Sequence, residues 1–279
     1  MNYQVSRGSP KSAFVPSPVF VGILAITGVT GWMTWTAYGN PRVDVFLLVI
    51  SGWILSLCLH EYAHAIVAYF SGDRGVADRG YLRLDPLKYT HPVLSIVLPL
   101  VAVVLGGIGL PGGAVWVDHA HIRSRVKQSL ISAAGPATNV VFALLLAVPF
   151  ALGAGDDVVL MRDGSGGVVV GGSHGDFWVA LGALAFLQVT ASLLNLVPMP
   201  GLDGGNILQP WLSEPYQRAY NMFAPYGFML LFVLLWQSRI NQLFFAVVGW
   251  FASLIGIPDV QGIGLGEVGL FYMRFWSSL

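Results

Sequence analysis

The chain has 279 residues, of which 55% are hydrophobic and only 10% charged, and its mean hydropathy is +0.69. A soluble domain carries roughly 25% charged residues, so this composition excludes both an ordinary water-soluble globule and intrinsic disorder, and points to a chain solvated largely by lipid. Fourteen Lys and Arg balance fourteen Asp and Glu, which removes the electrostatic footprint of a nucleic-acid binder, and the single cysteine, Cys58, excludes an intrachain disulfide or a CxxC metal knuckle.

In chain order, Arg7 and Lys11 precede an apolar stretch from Val19 to Tyr38. It is longer than the apolar core of a signal peptide and no A-x-A site follows, so it reads as an uncleaved first membrane span. Further apolar runs cover Val45 to Phe70, Val93 to Leu110, Leu130 to Leu152, Phe177 to Val197, Met222 to Trp236 and Leu243 to Ile257. The run from Val93 to Leu110 lies between Pro92 and Pro111 and contains Pro99 and Gly106-Gly107. It therefore reads as a re-entrant or broken segment, since irregular backbone at membrane depth lines a protein cavity. Tyr81-Leu82-Arg83-Leu84-Asp85 alternates like a short strand at the membrane surface. The glycine-rich stretch from Gly153 to Gly175 reads as an outside hairpin or flexible loop.

Orientation follows from Lys and Arg alone. Placing the amino terminus, 71–92, 111–129, 198–221 and the carboxyl tail inside leaves only Arg42, Arg162 and Arg239 of the fourteen outside. The expected fold is an all-α polytopic membrane protein with about six transmembrane helices, a re-entrant or broken segment and a short membrane-associated β element. Residues 1–279 read as one integral-membrane domain, with a core over about 45–215 and accessory C-terminal membrane helices and tail over 216–279.

The second span contains His60-Glu61-Tyr62-Ala63-His64, an H-E-x-x-H match. At this chain's own His and Glu frequencies the pattern is expected by chance about once in a thousand such chains. On a helix the two histidines lie one turn apart on one face, where two imidazoles can bind one zinc ion and the intervening carboxylate can reach a metal-bound water. A Glu and two His inside an apolar span are expensive unless paired or bound. Glu61 lies about 14 Å from the inner end of its span at helical rise, so the site is within the membrane but nearer the inside face. Two protein ligands rarely suffice for zinc. The candidate third is Asp203, in Asn195-Leu196-Val197-Pro198-Met199-Pro200-Gly201-Leu202-Asp203-Gly204-Gly205, where a span ends and a carboxylate stands in a glycine turn.

On these residues, and on Gly135-Pro136-Ala137-Thr138-Asn139 opening the span between them, the chain resembles the site-2 protease family of intramembrane zinc metalloproteases. The resemblance covers roughly residues 45–215. It implies three helices around one zinc ion per chain, with His60, His64 and Asp203 as ligands and Glu61 as general base. It also implies that Asn139 and Asn195 help hold the substrate strand or the oxyanion, against the alternative of helix–helix hydrogen bonding. Lys88-Tyr89-Thr90-His91-Pro92 and the segment after it are similar to the element that presents substrate in that family. The chain departs from many members in having no room for a PDZ or CBS domain and in carrying Tyr62-Ala63 where Leu-Gly is common, departures that bear on regulation and substrate selection.

Other residues read more plainly. Cys58 falls about 200° round the helix from His60 and faces away from it. His119 and His121 belong to a surface loop beside Arg123 and Arg125, His91 is placed near the mouth of the site, and His174 sits in the outside loop. Trp32, Trp35, Trp53, Trp178, Trp236 and Trp250 suit interfacial anchoring or bundle packing.

By the resemblance, the substrate is a single-span membrane protein already shortened by another protease. With no transit peptide visible, the expected location is a prokaryotic inner membrane, and the Lys and Arg bias puts the expected active site nearer the cytoplasmic side of the lipid bilayer; no nucleic-acid partner is expected. Two alternatives use the same residues: a membrane protein whose zinc is structural or regulatory, which does not need Glu61, and a metal or proton transporter, which leaves the Leu202-Asp203-Gly204 signature unexplained.

Overall fold

The computed structural model describes residues 13–89, 115–118, 121–162, 168–260, 263–264, 266 and 268. The broken segment from Val93 to Leu110, the element from Thr90 to Pro92 with its His91, and His119 lie outside the described residues.

Helix α1 (Pro18–Thr36) opens where the Ser17 hydroxyl accepts from Phe20 N at 3.1 Å and a proline occupies the first turn, and it closes at Ala37 in a left-handed conformation. Only Thr30 and Thr34 are buried on it, and both return their hydroxyls to their own helix, on the carbonyls of Ile26 and Thr30. Helix α2 (Pro41–Ser71) starts with the Asn40 side chain accepting from Val43 N at 3.3 Å and ends at Gly72, φ 135°. Its 31 residues span about 46 Å, more than the roughly 30 Å of a bilayer core. Two short helical turns follow, α3 (Gly75–Asp78) and α4 (Pro86–Tyr89).

The alternating run at Tyr81 to Asp85 is not a strand. Tyr81–Arg83 forms a turn of 3-10 helix between two left-handed residues, Gly80 (φ 78°) and Leu84 (φ 55°), and Asp85 then caps α4 through Leu87 N. Leu82 is fully buried between these bends. The alternation reports one inward side chain on a curled backbone, not a pleat.

Helix α5 (Arg125–Ala151) is capped by Ser124 and carries Pro136 and Pro149 internally. The expected hairpin is present in the glycine-rich stretch. Strands β1 (Val159–Arg162) and β2 (Val168–Gly171) pair antiparallel, with Val159 opposite Gly171. Helix α6 (Gly175–Asn195) returns across the molecule, followed by α7 (Asp203–Leu208), α8 (Glu214–Phe223), α9 (Gly227–Trp236) and α10 (Ser238–Leu254). A two-residue ladder of β3 (Asp259–Val260) with β4 (Ile263–Gly264) comes last.

Among the described residues, α1, α2, α5 and α6 are each long and apolar enough to cross a membrane, and a bent pair, Glu214–Tyr226 with Met229–Trp236, makes five if it is one span. About six was the expectation. The run from Met222 to Trp236 divides at a 67° bend, and α10, with 17 residues, covers only about 26 Å.

The core lies where α2, α5 and α6 pack on one another. Val45, Val49 and Trp53 from α2 meet Ala143 and Phe150 from α5 and Val179, Ala183 and Phe186 from α6. On the other side of α5, Leu144, Leu145 and Val148 are exposed, as are Val21 and Val29 on α1. Apolar residues facing outward on helices of this length are suited to lipid rather than water. The three-helix seam thus removes water from the residues that line it.

Candidate metal centre

His60, Glu61 and His64 project from the buried middle of α2 and are only 6%, 2% and 7% exposed. Helical rise sets the two imidazoles on one face, with their Nε2 atoms 3.1 Å apart. Asp203 arrives from the far end of the fold. After α6 ends, the prolines at 198 and 200 bar a regular helix, and Leu202 N on Met199 O at 3.2 Å closes a turn that delivers Asp203 to the first position of α7. Gly204 makes this possible, because a Cβ there would collide with the Leu196 carbonyl. The carboxylate then meets both rings, Oδ2 at 3.2 Å from His60 Nε2 and Oδ1 at 3.4 Å from His64 Nε2.

These spacings test whether the residues suit a metal. Zinc binds imidazole and carboxylate at about 2.0–2.1 Å, and the edge of a tetrahedron with such bonds is about 3.3 Å. The three observed separations, 3.1, 3.2 and 3.4 Å, fall around that edge. Of the described residues, these three form the group of ligating side chains within mutual reach.

Gly135 supplies a second test. Where α5 crosses α2, a Cβ at this glycine would overlap the Nε2 atoms of both histidines and come within 2.6 Å of His60 Cε1. The volume left by the missing side chain is therefore close enough to both nitrogens for a bonded metal and too close for a carbon in van der Waals contact. The His64 ring is oriented as a ligand's would be, with its Nδ1 2.6 Å from Ile131 O, an acceptor for an Nδ1–H that would leave Nε2 free for a metal. The donor set and its cradle fit zinc.

Glu61 stands apart from the ligand group. Its Oε2 accepts from Val115 N at 3.0 Å. A carboxylate has further lone pairs, so this one bond orients the group and leaves it able to accept another proton. Val115 belongs to a segment without regular secondary structure, 115–118, pinned at its other end to the turn after α2: Asp73 Oδ2 accepts from Asp118 N at 2.8 Å and from Arg79 Nη2 at 2.7 Å. Neither Gly135 nor the Val115 contact is evident from spacing; the G-P-x-x-N motif flagged the neighbourhood of the first, and nothing local flags the second.

Of the remaining candidates, Asn139 is buried, 4% exposed, one turn beyond Gly135 on the same face of α5. Asn195 is half-buried at the last residue of α6. Cys58 is fully buried and outside the ligand group. His121 is an exposed partner of Asp118 at 3.0 Å, and His174 stacks on Trp35 with ring centroids 3.6 Å apart, joining α1 to the start of α6.

Comparison with known proteins places this geometry. Residues 46–234 match the model of Peptidase family M50. A zinc metalloprotease named Rip2 from Mycolicibacterium smegmatis is 43% identical over 267 residues, covering 94% of this chain and 95% of the relative. Its namesake from Mycobacterium tuberculosis is 39% identical over 277 residues, covering 98% and 99%. A zinc metalloprotease named YwhC from Bacillus subtilis is 28% identical over 186 residues, covering 65% and 76%. No solved structure matches the chain.

Proposed function

The chain belongs to peptidase family M50, a zinc metalloprotease of the site-2 type, and on that premise we propose that His60, His64 and Asp203 hold one zinc ion and that Glu61 is the general base for hydrolysis of a peptide bond in or near a substrate's membrane helix. The observation that carries the reading is the tetrahedral-edge spacing of three ligand atoms around the space vacated at Gly135, inside a seam between apolar helices.

When bound there, zinc supplies a Lewis acid that makes water acidic near neutral pH and polarises the scissile carbonyl. Glu61 removes the water's proton and passes it to the leaving amine. Val115 N–H holds the Glu61 carboxylate in orientation for both transfers. The low-polarity walls of α2, α5 and α6 exclude bulk water, so each charge acts in a medium where it is strong. Asn139, on the site's face of α5, and Asn195, at the turn leading to Asp203, are the amides available to a substrate strand or oxyanion.

The protein is an integral membrane protein acting on membrane-protein substrates. We take the substrate as a single-span protein first trimmed by another protease, the location as a prokaryotic inner membrane, and the active site as nearer the cytoplasmic side, where the Lys and Arg bias places the end of α2. Residues 1–279 act as one domain around the core at about 45–215.

The test is zinc per chain by elemental analysis together with cleavage of a reconstituted single-span substrate. Wild type and Glu61→Ala should hold about one zinc, only wild type should cleave, and Asp203→Ala should lose both properties. Full zinc in Asp203→Ala would remove the ligand set. Cleavage by Glu61→Ala at the wild-type rate would favour a non-catalytic role for that glutamate.

A further inference from the structure

Two buried polar atoms near the metal centre have no hydrogen-bond partner among the described residues, and they are complementary. One is Nδ1 of His60 and the other is Oε1 of Gln188 on α6. The mechanism above uses neither.

Helices α2 and α6 run side by side and in the same direction along this seam. Gly52 lies against Leu184, and one turn further Ser56 meets Gln188. Gln188 is fully buried, 0% exposed. Its Nε2 donates to Ser56 Oγ at 2.9 Å, and the Ser56 hydroxyl donates its single hydrogen to Trp53 O at 2.8 Å. Ser56 Oγ can therefore only accept from Gln188, which fixes which way round the amide sits and leaves Oε1 as the open acceptor.

One further turn along α2 from Ser56 is His60. Helical side chains lean back over the preceding turn, so the His60 ring lies toward the level of Ser56. Its Nε2 faces His64 and Asp203. If Nε2 is the ligand atom, Nδ1 carries the proton and is a donor. His64 already has the corresponding bond, to Ile131 O; His60 does not. Ligating histidines almost always pass their second nitrogen's proton to an acceptor that sets ring orientation and tautomer.

We propose that Gln188 is the positioning residue of His60: its Oε1 accepts the Nδ1–H, directly or through one buried water, and so holds Nε2 toward His64 and Asp203. The inference rests on the reading of His60 as a ligand. It makes Ser56 part of the same chain of contacts, since Ser56 sets the amide's orientation.

The test is the zinc affinity of the full chain in detergent, measured by competition with a chromogenic chelator, for wild type, Gln188→Met, Gln188→Glu and His60→Ala, with the thermal melt of each metal-free protein beside it. Met matches glutamine in length without an acceptor, and Glu restores the acceptor. Gln188→Met should bind zinc about 10–100-fold more weakly, with a metal-free melt no lower than wild type, and Gln188→Glu should recover most of the loss. Wild-type affinity in Gln188→Met would overturn the proposal. So would equal weakening in Met and Glu variants, which would make Gln188 a packing residue. Full zinc retention by His60→Ala would instead overturn the ligand reading beneath it.

Discussion

At Gly135 the chain has no side chain, and two imidazoles face the gap from the neighbouring helix. Alanine is favoured over glycine inside a helix by about 1 kcal/mol, so local propensity alone predicts that Gly135→Ala strengthens α5. Against that, the new Cβ would occupy the space between the two Nε2 atoms. We expect the variant to keep its helical circular dichroism and lose nearly all of its zinc; normal zinc content would show that the glycine is not the cradle. Glu61 gives the opposite pattern. Removing its basicity in Glu61→Gln, with shape conserved, should leave zinc bound and slow cleavage by roughly 10²–10⁴-fold, the usual range for a positioned general base. A small effect on single-turnover cleavage would assign the proton transfer elsewhere.

The turn after α2 and the segment 115–118 form one connected element. Asp73 is 3% exposed and accepts from Gly75 N at 3.0 Å, from Arg79 and from Asp118 N. Arg79 also donates to Trp116 O at 3.3 Å and lies over the Trp116 ring, 4.8 Å from its centroid. These contacts fasten the far end of the segment whose Val115 N–H holds Glu61. Asp73→Ala leaves Arg79 and two backbone N–H groups without their acceptor. Because the Arg79 side chain keeps 29% exposure, water takes up part of the loss. The expected destabilisation is about 2–3 kcal/mol in chemical unfolding, with slower cleavage as 115–118 loosens. An unchanged unfolding midpoint would mean that the segment is held by other means.

For the molecule as a whole, the charge bias and the helix pattern make a statement about sidedness. Cys58 is the lone cysteine and is fully buried, so single-cysteine probes can be added over a silent background. Asp156→Cys, in the exposed turn before β1, should react with a membrane-impermeant thiol reagent on intact cells. Arg125→Cys, exposed at the start of α5, should react only after permeabilisation. The reverse pattern would invert the orientation and put the mouth of the site on the other face.

What could be read from sequence is what short-range geometry controls. His60 and His64 share a face because four residues make about one helical turn, whatever surrounds them. The pairing of β1 with β2 follows from the glycine-rich stretch between two apolar runs. Asp203 could be singled out because its prolines and glycines mark a turn wherever the chain goes. The same local reading failed at Tyr81 to Asp85, where alternation suggested a strand and two left-handed residues made a bend around buried Leu82. Among the described residues four or five helices are long and apolar enough to span where about six were expected, because α9 and α10 are short. Only the tertiary structure could bring Asp203 against the α2 histidines, place Gly135 over them, hang Val115 on Glu61 and set Gln188 beside the turn of α2 that leads to His60. Those relations depend on how closely and in what register separate helices pack, a property of the summed side-chain volumes of the whole seam, and no spacing along one helix encodes it.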